Sequence, residues 1–273
     1  MRRNLMNTVS VMPNLPQKPV ADTGLNVSML GLGTVKFGRN EEVKYPESFE
    51  IPDDDQVIAL LSQAHDVGIN LLDTAPAYGT AQQRLGRLVG NSSDWIICSK
   101  VGERFTNGVS EYIYSETETR QTIENSLCEL KRETLDIVLI HSSGDDLYVL
   151  QQTPVMETLL QLKQEGKIRA AGISSKTVEG GLLALQHLDV VMCMYNLQEH
   201  EELPVIQAAA EQGKAVFIKK GLMSGHLHKA DEDDPLLASY QHIFAQQGVT
   251  SLIIGTINPR HLMQNVETLL KVI

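Results

Sequence analysis

Four ionisable side chains of different chemistry stand where three apolar runs end. Leu71-Leu72 passes into Asp73-Thr74-Ala75-Pro76-Ala77-Tyr78-Gly79, Cys98-Ser99 into Lys100-Val101, and Leu139-Ile140 into His141. A carboxylate, a phenol, an ammonium and an imidazole brought together suit proton transfer to an oxygen that is gaining negative charge. Tyrosine titrates near 10 and is a poor acid at neutral pH until its anion is stabilised. An ammonium ~4 Å away, at an effective dielectric near 20, would contribute about 4 kcal/mol, or about three pKa units. Asp73 would keep Lys100 charged and fixed, because a buried lysine otherwise tends to lose its proton. A neutral His141 would donate a hydrogen bond that turns a carbonyl oxygen toward Tyr78. Carbonyl reduction is one reaction of this kind.

None of these groups supplies an electron pair, so a hydride donor must be bound. Two loops offer it a seat. Lys219-Lys220-Gly221-Leu222-Met223-Ser224-Gly225 is basic and glycine-containing, a local exception in an acidic chain. In Gly255-Thr256-Ile257-Asn258-Pro259-Arg260, Asn258 and Pro259 announce a helix N-terminus, where backbone N–H groups and the helix dipole attract a phosphate. No Gly-x-Gly-x-x-Gly follows an early strand, so a Rossmann-type site has no support.

The elements that must position these groups are legible as short apolar runs at 29–32, 70–73, 95–99, 136–140, 170–173, 190–194, 215–218 and 252–254. They are continuous and rich in β-branched residues rather than alternating, as expected of strands covered on both faces. Amphipathic helical patterns lie between them at 53–67, 116–133, 154–165, 177–187, 202–212, 235–247 and 259–271. Strand and helix in alternation, with no linker, imply an α/β fold with a parallel sheet. A closed (β/α)8 barrel of the TIM type fits 273 residues and the even spacing better than an open doubly wound sheet. In such a barrel the strand C-termini share one rim, which is where Asp73, Tyr78, Lys100 and His141 fall. Residues 1–26, with Pro13, Pro16, Pro19 and the turn Asp22-Thr23-Gly24, are expected to form a tail and a hairpin closing the barrel floor, and 27–273 the barrel domain.

Composition narrows the function classes. A net charge of −11 without a basic tail argues against nucleic acid, whose phosphates need clustered Lys and Arg. No apolar run approaches the roughly 20 residues that span a bilayer, and Met1-Arg2-Arg3 is followed by no apolar signal segment. Cys98, Cys128 and Cys193 show neither CxxC nor zinc spacing, which points to a reducing cytoplasm. His226, His228, His242 and His261 lack ligand spacing with carboxylates, so no metal site is expected. Oligomeric state is not encoded in any pattern here.

At this point the motifs resemble the aldo-keto reductase family over nearly the whole chain from about residue 20. Asp73-Thr74-Ala75-x-x-Tyr78-Gly79, Ser99-Lys100, Leu139-Ile140-His141, the block 166–174, Tyr195-Asn196 and the stretch 255–265 occur in family order. The resemblance implies a (β/α)8 fold, a small carbonyl substrate reduced reversibly, and a nicotinamide cofactor, NADP(H) ahead of NAD(H). It assigns Tyr78 as general acid, Lys100 and Asp73 as its activators, and His141 as the substrate-orienting group. It places Ser174 at the nicotinamide carboxamide, Lys219 among the cofactor contacts at the end of the seventh strand, and Lys220, Gly221, Leu222 and Gly225 near the pyrophosphate. Gly255, Thr256, Arg260, Gln264 and Asn265 fall around the adenosine end.

The sequence departs from the family pattern at several of these places. Ser175 stands where the family usually has Asn, Met192 where it has Gln, and Lys219 where an aromatic side chain usually stacks on the nicotinamide. Gly255 and His261 replace the lysine and arginine that meet the 2′-phosphate in many members, leaving Arg260 to substitute. The chain stops at Ile273, directly after the last helical pattern, so the long loop that covers substrate in many members is expected to be missing and the pocket to be more open.

Two other readings use the same residues. A cofactor-binding regulatory protein of the same fold would keep the loops and turn over slowly. A barrel isomerase or aldolase would use Lys100 as a Schiff base, which conflicts with an aspartate that keeps it protonated. Taken singly, Asp73 and Lys100 would also pass for a structural ion pair, and Lys219 and Lys220 for surface charges; it is the four-residue constellation that argues for chemistry.

Overall fold

The computed structural model describes residues 14–43, 45–227 and 230–273. The expected tail up to Pro13, and His228, lie outside these residues.

Eight parallel strands close on themselves: β3 (Leu30–Gly33), β4 (Leu71–Asp73), β5 (Ile96–Val101), β8 (Leu135–His141), β9 (Ile168–Ser174), β10 (Val190–Met194), β11 (Ala215–Lys219) and β12 (Val249–Ile254), with β12 pairing back onto β3. All eight expected strands are present, with ends moved by up to three residues. Residues pointing inward, among them Leu71, Cys98, Ile137, Leu139, Val190, Met192 and Phe217, form a buried core. Outward residues pack with the surrounding helices into a second, larger core. Burial on both faces is why these runs carry no alternation.

Below the barrel, β1 (Gln17–Pro19) and β2 (Asn26–Ser28) form an antiparallel hairpin. Its Val20, Leu25 and Val27 join the inner core, and Lys18 Nζ donates to the Val249 carbonyl at 2.7 Å, at the start of β12. The hairpin therefore plugs the N-terminal end and leaves the opposite rim open for a site. Its second strand reaches Ser28, past the boundary expected at residue 26.

The helices are α1 (Asp54–Asp66), α2 (Ala81–Leu88), α3 (Glu116–Leu130), α4 (Asp146–Gln152), α5 (Val155–Gln164), α6 (Val178–Leu185), α7 (Leu203–Gln212), α8 (Pro235–Phe244) and α9 (Pro259–Val272). Asp53 caps α1 in a reciprocal capping box with Gln56. Helices α2 and α4 have no counterpart in the periodicity. In α2 the buried face carries Gln82 and Arg84, satisfied by hydrogen bonds to Ser126, Glu129, Asp54 and the Phe37 carbonyl rather than by apolar contact. A polar but bonded face leaves no hydrophobic repeat to read. A second antiparallel hairpin, β6 (Glu103–Thr106) and β7 (Val109–Tyr112), stands on the rim directly after β5. Among the described residues no helix is long and apolar enough to cross a membrane.

Candidate active site

Asp73, the last residue of β4, and Lys100, near the end of β5, point into the open end of the barrel. Lys100 Nζ lies 2.5 Å from Asp73 Oδ1 and donates to the Thr74 carbonyl at 2.9 Å. The lysine is only 2% exposed. Burial works against its charge, yet Asp73, its strongest opposing influence, holds it above the usual lysine range. Lys100 is thus a fixed, permanently charged ammonium.

Tyr78 sits on the turn that follows β4. Its N–H donates to the Ala75 carbonyl, and the chain then reverses at Gly79, whose φ is +61°. A Cβ at Gly79 would stand 2.1 Å from the Gly38 carbonyl oxygen, so only glycine allows the two segments to meet. This close passage presses the phenol ring over the lysine, with Nζ 4.8 Å from the ring centroid. The expected depression of the phenol pKa is corrected here: burial dominates and holds Tyr78 above its usual range, and Lys100 offsets only part of that. Because Asp73 already neutralises the ammonium, the field it presents to the phenol is smaller than that of an unpaired charge.

His141 ends β8, with its ring edge-on to Tyr78 at a centroid separation of 6.5 Å. Its buried Nδ1 is 2.6 Å from Glu103 Oε2 at the start of β6, without an aligned hydrogen bond. Burial lowers the imidazole pKa; Glu103 opposes this, and Lys100 and Lys219 reinforce it. Tyr114 holds the local backbone, donating to the His141 carbonyl at 2.9 Å and accepting from the Ser143 N–H at 2.8 Å. Glu103 was not singled out from the sequence. The signal was present in Asn107-Gly108, the pair favoured in two-residue hairpin turns, and both residues have positive φ, 51° and 78°.

On the neighbouring rim Ser174 ends β9 in register with His141. Lys219 Nζ donates to Ser174 Oγ at 2.8 Å and to the Ser175 carbonyl at 2.5 Å. Ser175 turns its own hydroxyl away, to Glu202 Oε1 at 2.6 Å. Met192 is buried in the inner core. Burial lowers Lys219 to about 8, against the pull of Glu202.

The two glycine-containing loops flank the same rim. Lys220 is exposed, with φ +54°, and Asn196 Nδ2 donates to its carbonyl at 3.2 Å. Met223, Ser224 and Gly225 also have positive φ, and the loop coils tightly on itself, with the Met223, Gly225 and His226 N–H groups donating to the Lys220, Leu222 and Met223 carbonyls. Leu222 is half-buried and packs on the outer core, while Gly221 lies among Leu252, Ile243 and Ile218, where a Cβ would clash. Asn258 caps α9, accepting from the Arg260 N–H at 2.9 Å. Gly255, Arg260 and Gln264 are exposed, and Thr256 accepts from the Asn258 N–H at 3.0 Å. Asn265 is committed inward, accepting from the Tyr240 hydroxyl and donating to the His261 carbonyl. Tyr45 and Pro46 cross between the loops. A Cβ at Gly255 would lie 2.7 Å from the Tyr45 hydroxyl, and one at Gly225 would lie 3.2 Å from Pro46 Cδ.

A rim combining a charged lysine, a phenol and an imidazole with two loops that carry exposed Lys220 and Arg260 suits a nucleotide-borne hydride and a carbonyl. Among the described residues no group of three or more His, Cys, Asp or Glu is placed to hold a metal ion. Comparison with known proteins agrees with this geometry. The crystal structure of a candidate aldo-keto reductase from Pseudomonas aeruginosa is 46% identical with a TM-score of 0.87, covering 96% of this chain and 98% of that one. Aldo-keto reductase YhdN of Bacillus subtilis is 28% identical over 220 residues, 76% of this chain and 63% of the relative. The NADH-specific methylglyoxal reductase of Escherichia coli is 26% identical over 309 residues, 92% of each chain. With the profile described as Aldo/keto reductase family matching residues 29–242, this chain belongs to the aldo/keto reductase family of oxidoreductases, whose members use nicotinamide cofactors on small carbonyl substrates.

Proposed function

We propose that the barrel, residues 27–273, reversibly reduces a small aldehyde or ketone to the alcohol, with Tyr78 as proton donor. The observation that carries this reading is the buried Lys100–Asp73 pair at 2.5 Å with the Tyr78 ring over the ammonium. A bound nicotinamide nucleotide would supply the hydride. As the carbonyl oxygen gains charge, the Tyr78 hydroxyl releases its proton to it, and Lys100 stabilises the phenolate left behind. Asp73 prevents Lys100 from being the proton source. His141 positions the oxygen.

The residues present fit the nucleotide. Ser174 and Lys219 stand beside His141 for the nicotinamide end, and Lys220, Leu222 and Gly225 line the coiled loop for the pyrophosphate. Gly255, Thr256, Arg260 and Gln264 surround the α9 N-terminus for the adenosine end, with Gly221 and Asn265 supporting both loops from within. Exposed Arg260 at the first turn of α9 supports NADP(H) over NAD(H), since a guanidinium pairs bidentately with a phosphate. The free thiol spacing supports a cytoplasmic protein.

The test is titration of the purified protein with NADPH and NADH by fluorescence, followed by a panel of aldehydes including methylglyoxal. Oxidation of NADPH by at least one aldehyde, abolished in Tyr78→Phe, is the expected result. Nucleotide binding without oxidation for every aldehyde would instead favour a regulatory protein of the same fold.

A further inference from the structure

His141 is gripped from behind by a residue outside the four-residue constellation. Glu103 Oε2 lies 2.6 Å from His141 Nδ1, and Ser110 donates from the facing strand β7 to Glu103 Oε1 at 2.5 Å. The hairpin β6–β7 thus brings its first side chain against the His141 imidazole on the rim. The N–H is not aligned on Oε2, but a carboxylate only accepts hydrogen bonds and a bare Nδ1 lone pair 2.6 Å from it would be repelled, so the contact favours the tautomer with its proton on Nδ1. With Nδ1 buried against Glu103, Nε2 is the nitrogen left for a substrate.

We infer that Glu103 is a positioning residue that fixes the proton of neutral His141 on Nδ1 and thereby sets which substrate oxygen His141 can hold. This inference rests on the carbonyl-reductase reading above. With its one proton on Nδ1, neutral His141 presents a lone pair at Nε2 and accepts from a hydroxyl, so it holds the alcohol; this corrects the sequence-based expectation that the neutral ring donates to a carbonyl. Protonated His141 donates from Nε2 and holds the carbonyl oxygen, which has no proton to give. Glu103 stabilises the imidazolium as well, keeping the carbonyl-holding form accessible despite burial. One carboxylate thus couples the favoured direction of reaction to pH: carbonyl substrates below the His141 midpoint, hydroxyl substrates above it.

The groups facing this couple come from every neighbouring element. Lys100 from β5 and Lys219 from β11 oppose the imidazolium, and Tyr78 meets the ring edge-on. Arg39 and Ser110 act on Glu103 and, together with His141, outweigh its burial, lowering the carboxyl to about 2. Tyr112 faces the same carboxylate, and Tyr114 bonds only the His141 carbonyl among the atoms of that residue. Glu103 is therefore ionised throughout the range in which His141 titrates.

The test is nitrogen NMR of protein labelled at its 8 histidines, with His141 assigned by the loss of its signals in His141→Gln. The expected result is a neutral imidazole protonated at Nδ1, and a midpoint about one unit lower in Glu103→Gln, a tenfold change in the protonation equilibrium. Glu103→Asp, which keeps the charge on a shorter arm, should recover part of that shift. In steady-state assays the KM for a carbonyl should rise above the His141 midpoint, and that rise should move to lower pH in Glu103→Gln. A neutral tautomer protonated at Nε2, or identical midpoints in wild type and Glu103→Gln, would overturn the inference. Failure of every aldehyde to oxidise NADPH would overturn the reductase reading instead, while the tautomer measurement still decides the role of Glu103.

Discussion

Lys219 Nζ lies 2.8 Å from Ser174 Oγ, across the intervening strand β10, so an ammonium holds a hydroxyl proposed to meet the cofactor carboxamide. The oxidised nicotinamide ring is cationic and the reduced ring is neutral. A charged Lys219 beside it therefore favours the reduced nucleotide. At a few ångströms and an effective dielectric near 20, such a pair is worth on the order of 1–4 kcal/mol, and partial exposure of Lys219 puts the effect at the low end. Lys219→Met should tighten NADP⁺ binding relative to NADPH by about tenfold, measured as the ratio of the two Kd values at pH 7. In the wild type the ratio should approach that of the variant as pH rises through about 8, where Lys219 loses its proton. The sign for stability follows the same depressed value: the unfolded chain binds more protons between about 8 and the usual lysine range, so the fold gains stability as pH rises there. A ratio unchanged by both the substitution and pH would place the nicotinamide away from Lys219.

The Lys100–Asp73 pair, proposed to activate Tyr78, is also a buried ion pair of the fold, and the two roles separate by mutation. Tyr78→Phe keeps the ring and removes the proton, so activity should fall by about 10²–10⁴ with an unchanged urea midpoint. Lys100→Met should lose comparable activity, and it also leaves Asp73 buried without its cation, costing about 3–5 kcal/mol. The double variant Lys100→Met/Asp73→Leu should regain most of that stability and none of the activity. Full stability in Lys100→Met alone would show that water reaches the pair and that the buried ammonium is not what Tyr78 depends on.

Gly79 fixes where the phenol stands. In Gly79→Ala the left-handed φ of +61° costs about 1–2 kcal/mol, and the added Cβ meets the Gly38 carbonyl oxygen. The thermal midpoint should fall, and kcat should fall further than the midpoint explains when compared with a variant of equal stability elsewhere. Unaltered kcat would mean that the turn relaxes without moving Tyr78.

How much of this was legible before the structure depended on what each residue signals. Strands buried on both faces announce themselves as apolar runs, so all eight were found, and Asp73, Lys100 and His141 fell at their C-terminal ends. Their convergence then followed from barrel geometry alone. Glu103 was missed because β6 is half-exposed and reads Glu-Arg-Phe-Thr, a run whose charges suggest a solvated loop. The Tyr78 pKa was misjudged in direction, because a sequence shows that a cation is near but not how deeply the phenol is buried. Asn265 and Gly221 lie at family positions for the nucleotide, yet they are packed into the fold, and only side-chain partners reveal that. Tyr45, whose hydroxyl borders Gly255, sits on a loop with no periodicity to mark it.

The opposite end of the barrel should carry stability without activity. Asp136, near the start of β8, accepts from the buried Ile97 N–H at 2.9 Å, and its two oxygens also meet Arg132 at 3.3 Å and Arg169 at 3.2 Å. Arg132 in turn donates to the carbonyls of Gly90, Ser92 and Trp95, tying the chain before β5 to the end of α3. Asp136→Ala removes the acceptor and strands a buried backbone donor together with two guanidinium groups. Leaving one such donor unpaired costs about 1–3 kcal/mol, and the loss of the charged partners adds to it. Asp136→Asn keeps an acceptor for Ile97 and should retain roughly half of the lost stability by the same reasoning. Because the carboxylate lies at the floor, far along the strands from Lys100 and His141, kcat and KM at 25 °C should match wild type in both variants. Equilibrium urea unfolding followed by Trp95 fluorescence, run beside steady-state assays on the folded fraction, measures both quantities. A loss of kcat at full occupancy of the fold would show that the floor and the rim are coupled through β5 and β8, contrary to this division of labour.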